Sequence, residues 1–345
     1  MAAPQEGDYA GRGLFRPDPD VGHALRPGYA SSGIETNSWG FRGREFSPHK
    51  TAGVFRILGL GDSFTFGRRS PDEVYLELLE RRLAGAAPPL AVEVLNAGVP
   101  GYDTRQEIAH LAKFGLRLSP DLVVLGLFVT GDVIENASGT FYAVVDGELT
   151  AVPLGRLERL LLRSHLYRFI RRRLTVHAAE RAASGSDRAR YLEVEWSRLQ
   201  TCRRQPDRLS RRGFRATERL LLELRDLLRQ KDVALVVLLI PDEVQVDARV
   251  FDEVLAGHGA RGVDFDLDLP NQRLRAFLEA AGVEVIDVLA DLRERHQGEP
   301  VYLPEDTHWS AAGHALAADR LAEALLPRLR ARAGAARGTT TPPRR

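Results

Sequence analysis

Three residue types that together make an oxygen nucleophile stand at opposite ends of this chain. An apolar run, Val54 to Leu60, ends in Gly61-Asp62-Ser63-Phe64-Thr65, which reads as a strand delivering a serine into a tight turn. Far downstream, Asp306-Thr307-His308-Trp309 puts a carboxylate two residues from a histidine, just before a helical pattern. A serine hydroxyl is a poor nucleophile at neutral pH. A neutral imidazole that takes its proton, held in one tautomer by a carboxylate, activates it. The pairing predicts acyl transfer of the esterase type, with Ser63 as nucleophile, His308 as general base and Asp306 as its orienting carboxylate. Glu305 competes with Asp306 for that role. Asp62 reads as a turn-former, and His314, on the following helix, as a packing residue.

These residues need a scaffold that brings them together. Five apolar runs read as strands: Val54–Leu60, Val92–Asn96, Leu122–Phe128, Val233–Ile240 and Val283–Val288. Most are continuous rather than alternating, as strands covered on both faces are. Helical patterns fall between and after them, at Asp72–Leu83, Thr104–Leu116, Thr217–Gln230, Gln272–Ala280 and Ser310–Leu329. The alternation predicts an α/β fold, a three-layer α/β/α sandwich on a five-stranded parallel sheet of flavodoxin-like order. Ser63 then falls at the carboxyl end of a strand, where such sheets bind their ligands.

The expected organisation is a lead-in segment over residues 1–50, a catalytic domain over 51–331, and a disordered tail over 332–345, which is made of Ala, Gly, Thr, Pro and Arg. Within the domain, residues 129–214 form an insertion expected to cap the strand ends with helices and a hairpin. The Asp146-Gly147 pair between two apolar runs is a hairpin signal. Leu154–Leu174, with Arg171-Arg172-Arg173, reads as a solvated basic helix, and Arg181–Arg204 as a mobile loop with a helical piece.

Composition narrows the function classes. The 345 residues are 44% hydrophobic and carry a formal net charge of +1, which argues against a dedicated nucleic-acid binder. A single cysteine, Cys202, excludes an internal disulfide. No run has the length of a membrane-spanning helix, and Met1 to Pro17 is polar, so a cytoplasmic location is the default expectation. No His, Cys and acidic cluster has metal-ligand spacing, and no cofactor is expected.

The motifs also resemble those of a known family. Gly61-Asp62-Ser63-Phe64-Thr65-Phe66-Gly67 is similar to the nucleophile block of the SGNH hydrolase superfamily, the GDSL-type esterases and lipases. Asn96-Ala97-Gly98-Val99-Pro100-Gly101-Tyr102 resembles its second block, and Asp306-Thr307-His308-Trp309 its last. One residue, not two, separates Asp from His, a spacing that resembles the branch related to alginate O-acetylation. Asn37-Ser38-Trp39-Gly40-Phe41-Arg42-Gly43 is similar to a lead-in segment of bacterial members. The resemblance implies a carbohydrate O-acetyl or small acyl ester as substrate, and a backbone N–H of Gly98, with that of Ser63, as oxyanion donors. It also implies an asparagine after the third strand as a further donor. Here that position is Gly131, and Thr130 and Asn136 are the nearby candidates to stand in. Arg68-Arg69, beside the nucleophile, read either as attracting an anionic substrate or as solvated cations. Two alternatives follow from the same residues: an O-acetyltransferase acting on a glycan, or a non-catalytic binding protein, which the missing amide at Gly131 favours.

Overall fold

In a computed structural model, which describes residues 13–31, 33–68, 73–138, 140–145, 148–153 and 187–338, the chain forms a five-stranded parallel sheet between two layers of helices. Its strands are β1 Val54–Gly61, β2 Ala91–Asn96, β3 Leu122–Phe128, β4 Ala234–Ile240 and β5 Glu284–Asp287. Their order across the sheet is β5-β4-β3-β1-β2, all parallel, which is the flavodoxin-like order.

Each strand feeds two cores because its side chains alternate between faces. Leu122 and Val124 of β3, with Val236 and Leu238 of β4, join one core with Leu76 and Leu79 of the helix Tyr75–Leu83 and Leu321 and Leu325 of the helix Ala311–Gly338. Val123, Leu125 and Leu127, with Val237 and Leu239, join the other. There they meet Ile108 and Leu111 of Thr104–Lys113, Leu221 and Leu224 of Arg208–Arg229, and Leu274 of Leu269–Ala280. Burial on both faces explains the unbroken apolar runs.

Several elements differ from their sequence expectation. The serine turn is a four-residue helical turn, Ser63–Phe66, and the helix expected over Asp72–Leu83 starts at Tyr75 and ends at Leu83. The helix before β4 starts at Arg208 rather than Thr217, because the Asp207 side chain caps it by accepting from Ser210 N at 2.6 Å. Its first turns are arginine-rich and hide the apolar stripe. The last helix continues to Gly338, and Ala333 is buried, so the stretch from 332 to 338 is helical and not part of a disordered tail. Alanine-rich sequence with arginines sustains a helix without a large apolar face.

In the insertion, Gly131–Ser138 is a helix, and Thr140–Val145 pairs antiparallel with Glu148–Pro153 as the hairpin signal predicts. The hairpin turn and the basic stretch Leu154–Leu174 lie outside the described residues. The segment expected to be a mobile loop is, from residue 187 on, a 13-residue helix, Asp187–Leu199, followed by a short 3-10 turn. Tyr191 and Leu199 of this helix pack with Val244, Val250 and Val254 after β4, and that apolar contact gives it order.

The lead-in residues pack on the back of the site. A ladder of Phe15–Asp18 with Gly22–Leu25 places buried His23, whose Nε2 hydrogen-bonds Pro100 O at 2.8 Å, while Tyr102 Oη donates to His23 O at 2.6 Å. Arg42 N donates to Asn96 O, and the Arg42 guanidinium lies 4.5 Å from the centre of the Phe66 ring.

Candidate functional site

Ser63 is set at the carboxyl end of β1 by its two predecessors. Gly61 has φ +155°, and a Cβ on it would lie 2.1 Å from Thr65 Oγ1, so the chain turns there only because no side chain is present. Asp62 then caps the short turn by accepting from Phe64 N at 2.9 Å. Burial pushes the Asp62 carboxyl up to about 6 against that hydrogen bond and the charges of His308 and Arg198. Asp62 is thus a turn-former, as its sequence context predicts.

Asp306–Trp309 pairs irregularly with Tyr302–Leu303, and Glu305 stands between them at φ +54°. That left-handed residue reverses the chain, leaving Glu305 exposed and turning Asp306 back onto the histidine. Asp306 Oδ1 accepts from His308 N at 3.1 Å and lies 2.5 Å from His308 Nδ1. A carboxylate only accepts, so Nδ1 carries the proton and Nε2 is left as acceptor. Ser63 Oγ lies 2.7 Å from Nε2. Thus the three residues named from the sequence stand in one hydrogen-bonded line, and Asp306, not Glu305, faces the ring.

Burial would push Asp306 up, but the bond to His308, that residue's charge and the Arg68 guanidinium outweigh it and hold the carboxyl below its ordinary value. Arg68 Nη1 pairs with Asp306 Oδ2. Its role is therefore read from this contact rather than from attraction of an anionic substrate. Arg69 lies outside the described residues. The buried Trp309 and the ring of Phe64, 5.1 Å from that of His308, wall the imidazole.

The donors expected for an oxyanion are arranged differently. Gly98 N donates to Asn96 Oδ1 at 3.0 Å, and Asn96 Nδ2 donates to Thr65 O at 2.9 Å. A Cβ at Gly98 would lie 2.4 Å from Phe66 N, so the absence of a side chain lets its loop touch the Ser63–Phe66 turn. The Gly98 N–H is engaged by the Asn96 side chain. Thr130 Oγ1 donates to Asp242 Oδ2 at 2.6 Å. Asn136 Nδ2 donates to Thr104 Oγ1 and Thr217 Oγ1, each at 3.0 Å. Both candidate stand-ins are committed elsewhere. At Gly131 a Cβ would lie 2.2 Å from Phe128 Cδ1, so the Phe128 ring fills the space in which a side chain would begin. Among the described residues, the N–H groups of Ser63 and Gly101 have no hydrogen-bond partner.

Other residues at the site carried no sequence signal. Asp242, just past β4, is wholly buried, caps the turn Glu243–Val246, and accepts from Thr307 Oγ1 at 3.0 Å. It ties the strand bearing His308 to the end of β4. Arg198, from the insertion helix, donates through Nη1 to Thr307 Oγ1 at 2.8 Å, and its guanidinium lies 4.8 Å from the Phe128 ring centre. The one hint was position: Asp242 follows Ile240-Pro241, the end of a continuous apolar run. A groove of about 940 Å³ opens at the other end of the sheet, lined by Lys50, Arg117, Asp121, Arg229, Lys231 and Arg328, and none of the site residues borders it. Among the described residues, no helix is long and apolar enough to cross a membrane.

Residues 199–344 match a family model described as SGNH hydrolase-like domain, acetyltransferase AlgX. The match takes in Asp306 and His308 and begins after Ser63. No match was found among curated proteins. Several solved structures are similar. A lipase/acylhydrolase from Enterococcus faecalis is 16% identical over 79% of this chain and 96% of its own, with TM-score 0.42. A catalytic mutant of an acetylxylan esterase from Geobacillus stearothermophilus is 13% identical over 80% and 94%, with TM-score 0.43. An alpha/beta hydrolase enzyme from the metagenome of Lake Arreo, Spain, is 14% identical over 80% and 96%, with TM-score 0.45.

Proposed function

We propose that the chain is a member of the SGNH hydrolase superfamily, whose model matches residues 199–344, and that it cleaves or transfers an ester-linked acyl group through an acyl-enzyme on Ser63. The observation that carries this reading is the unbroken line from Ser63 Oγ to His308 Nε2 and from Nδ1 to Asp306. Ser63 Oγ adds to the ester carbonyl while His308 takes its proton, and the carbonyl electron pair moves onto oxygen. Asp306, kept ionised, stabilises the imidazolium that forms. Collapse expels the alkoxide, which leaves with the proton from His308. A water or an acceptor hydroxyl then repeats the sequence on the acyl-enzyme. The unpaired N–H groups of Ser63 and Gly101 are the backbone donors proposed for the oxyanion, in place of Gly98.

A carbohydrate O-acetyl group or a small acyl ester is the proposed substrate. Transfer to a glycan hydroxyl is the second reading, and the description of the matching family as an acetyltransferase favours it. The two differ only in what deacylates Ser63.

The test is labelling by a fluorophosphonate probe. Ser63 should be modified in the wild type and the label should be lost in Ser63→Ala. An unlabelled but folded wild type would overturn the enzymatic reading in favour of a binding protein. With labelling established, acyl-enzyme breakdown in the presence and absence of oligosaccharide acceptors separates hydrolysis from transfer.

A further inference from the structure

The insertion helix Asp187–Leu199 sends one cation to the reacting centre, and its hydrogen bonds leave part of that cation unused. Arg198 Nη1 donates to Thr307 Oγ1 at 2.8 Å, and Thr307 stands between Asp306 and His308 in the chain. The same nitrogen lies 3.5 Å from Glu195 Oε1 and 3.8 Å from Asp242 Oδ1. Among the described residues, Nε and Nη2 have no hydrogen-bond partner, and neither is sealed from solvent. The side chain keeps 19% of its surface exposed. A guanidinium offers five N–H donors in a rigid fork, so anchoring Nη1 leaves Nε and Nη2 able to donate.

The rings place the guanidinium relative to the site. The guanidinium covers Phe128 at 4.8 Å. Phe128 contacts Phe64 at 4.6 Å between ring centres, and Phe64 contacts His308 at 5.1 Å. Phe128 is also the ring that occupies the space next to Gly131. The anchored Arg198 therefore sits above the ring that closes this side of the site, tied at one end to the residue beside the general base.

We propose that Arg198 is the cationic donor that holds the carbonyl oxygen of the acyl group while Ser63 adds to it. The inference rests on the serine-nucleophile reading above. As the Ser63 Oγ–carbon bond forms, the carbonyl electron pair becomes an alkoxide that accepts from the Ser63 and Gly101 N–H groups and from the free edge of Arg198. Collapse of that intermediate returns the pair to carbon and expels the leaving alkoxide, which takes the proton held by His308. The ligand is thus a neutral acyl ester, recognised at its reacting carbonyl. Thr307 and Asp242 act as positioning residues by holding the anchored edge. Glu195 and Asp242 keep the arginine in place before substrate arrives, so no reorganisation accompanies the charge as it develops.

The experiment is single-turnover acylation of the full chain by a neutral aryl acetate, in wild type, Arg198→Ala and Arg198→Lys, with thermal unfolding to confirm that each is folded. Removing one oxyanion donor costs about a hundred- to a thousandfold in the acylation rate. That loss is expected in Arg198→Ala, with KM little changed. Arg198→Lys, which keeps the charge beside Asp242 and Glu195, should retain part of the rate. Guanidinium at a sub-denaturing concentration should restore part of the rate to Arg198→Ala, whereas the same concentration of sodium chloride should not. A purely structural role would show no such rescue. Wild-type acylation in a folded Arg198→Ala would overturn the proposal, as would a defect confined to the KM of anionic esters. If Arg198→Ala does not fold, Arg198→Lys decides: an unchanged acylation rate constant with unchanged KM overturns the inference. A wild type that is not acylated at Ser63 would overturn the serine reading and this inference together.

Discussion

The ring of Phe128 stands where a side chain on Gly131 would begin: a Cβ built there lies 2.2 Å from Phe128 Cδ1 and 2.5 Å from Cε1. Gly131 is not in a left-handed conformation, so the backbone would accept another residue and only the ring forbids it. On sequence alone, Gly131→Asn would be expected to restore a donor and speed acylation. The packing reverses that expectation. Gly131→Ala should destabilise by about 1–3 kcal/mol, as overpacked cores do, and Gly131→Asn should slow acylation. Combining Gly131→Ala with Phe128→Leu should recover much of the lost stability. Thermal unfolding of the singles and the double checks this, and additive losses would refute the clash.

Asp306 and Glu305 are adjacent but unequal. Asp306 reaches His308 Nδ1, while Glu305, at φ +54°, is exposed. Asp306→Asn removes the acceptor that fixes the tautomer and should lower turnover by up to about 10⁴-fold. Glu305→Gln should change it less than twofold, and Glu305→Gly should be tolerated. Steady-state turnover on an aryl acetate decides, and the reverse ranking would reassign the carboxylate.

Arg68 is paired with Asp306. Arg68→Gln should lower turnover by about tenfold, the scale of one partly buried charge contact worth roughly 1.4 kcal/mol. In an Asp306→Asn background the same change should cost almost nothing, because the partner is gone. Equal losses in both backgrounds would show that Arg68 works on the substrate instead.

Stability should depend on pH in an unusual direction. Burial pushes several carboxyls up: Asp62 to about 6, Glu77 to about 7, and Glu135 and Glu243 to about 8. A raised carboxyl binds more protons folded than unfolded, so the slope of unfolding free energy with pH is negative between the two values. The folded state then bears the cost of ionising these groups as pH passes from about 4 to about 8. The melting temperature should be higher near pH 5 than at pH 8. Glu135→Gln should flatten the upper part of that dependence, and a rising melting temperature over this interval would contradict the assigned burial.

The sequence by itself determined the sheet. Short continuous apolar runs between helical patterns read as strands covered on both faces, β1 and β3 lie within a residue of their expected limits, and their parallel pairing follows from helices alternating with strands. It also named Ser63, Asp306 and His308, because a serine at a strand end and a carboxylate two residues from a histidine are local patterns. It did not reach Arg198, Phe128 or Asp242. Their positions depend on contacts between segments more than forty residues apart in the chain, such as Arg198 with Thr307 and Thr130 with Asp242. Gly98 shows the same limit in reverse. Its motif suggested a donor, yet the partner of its N–H is chosen by how Asn96 is clamped between two loops. Residue types and local spacing thus specified the Ser63–His308–Asp306 line. Which donors remain free to face a substrate was decided only by tertiary packing, because a hydrogen-bonding group has a fixed capacity and the folded chain spends it first.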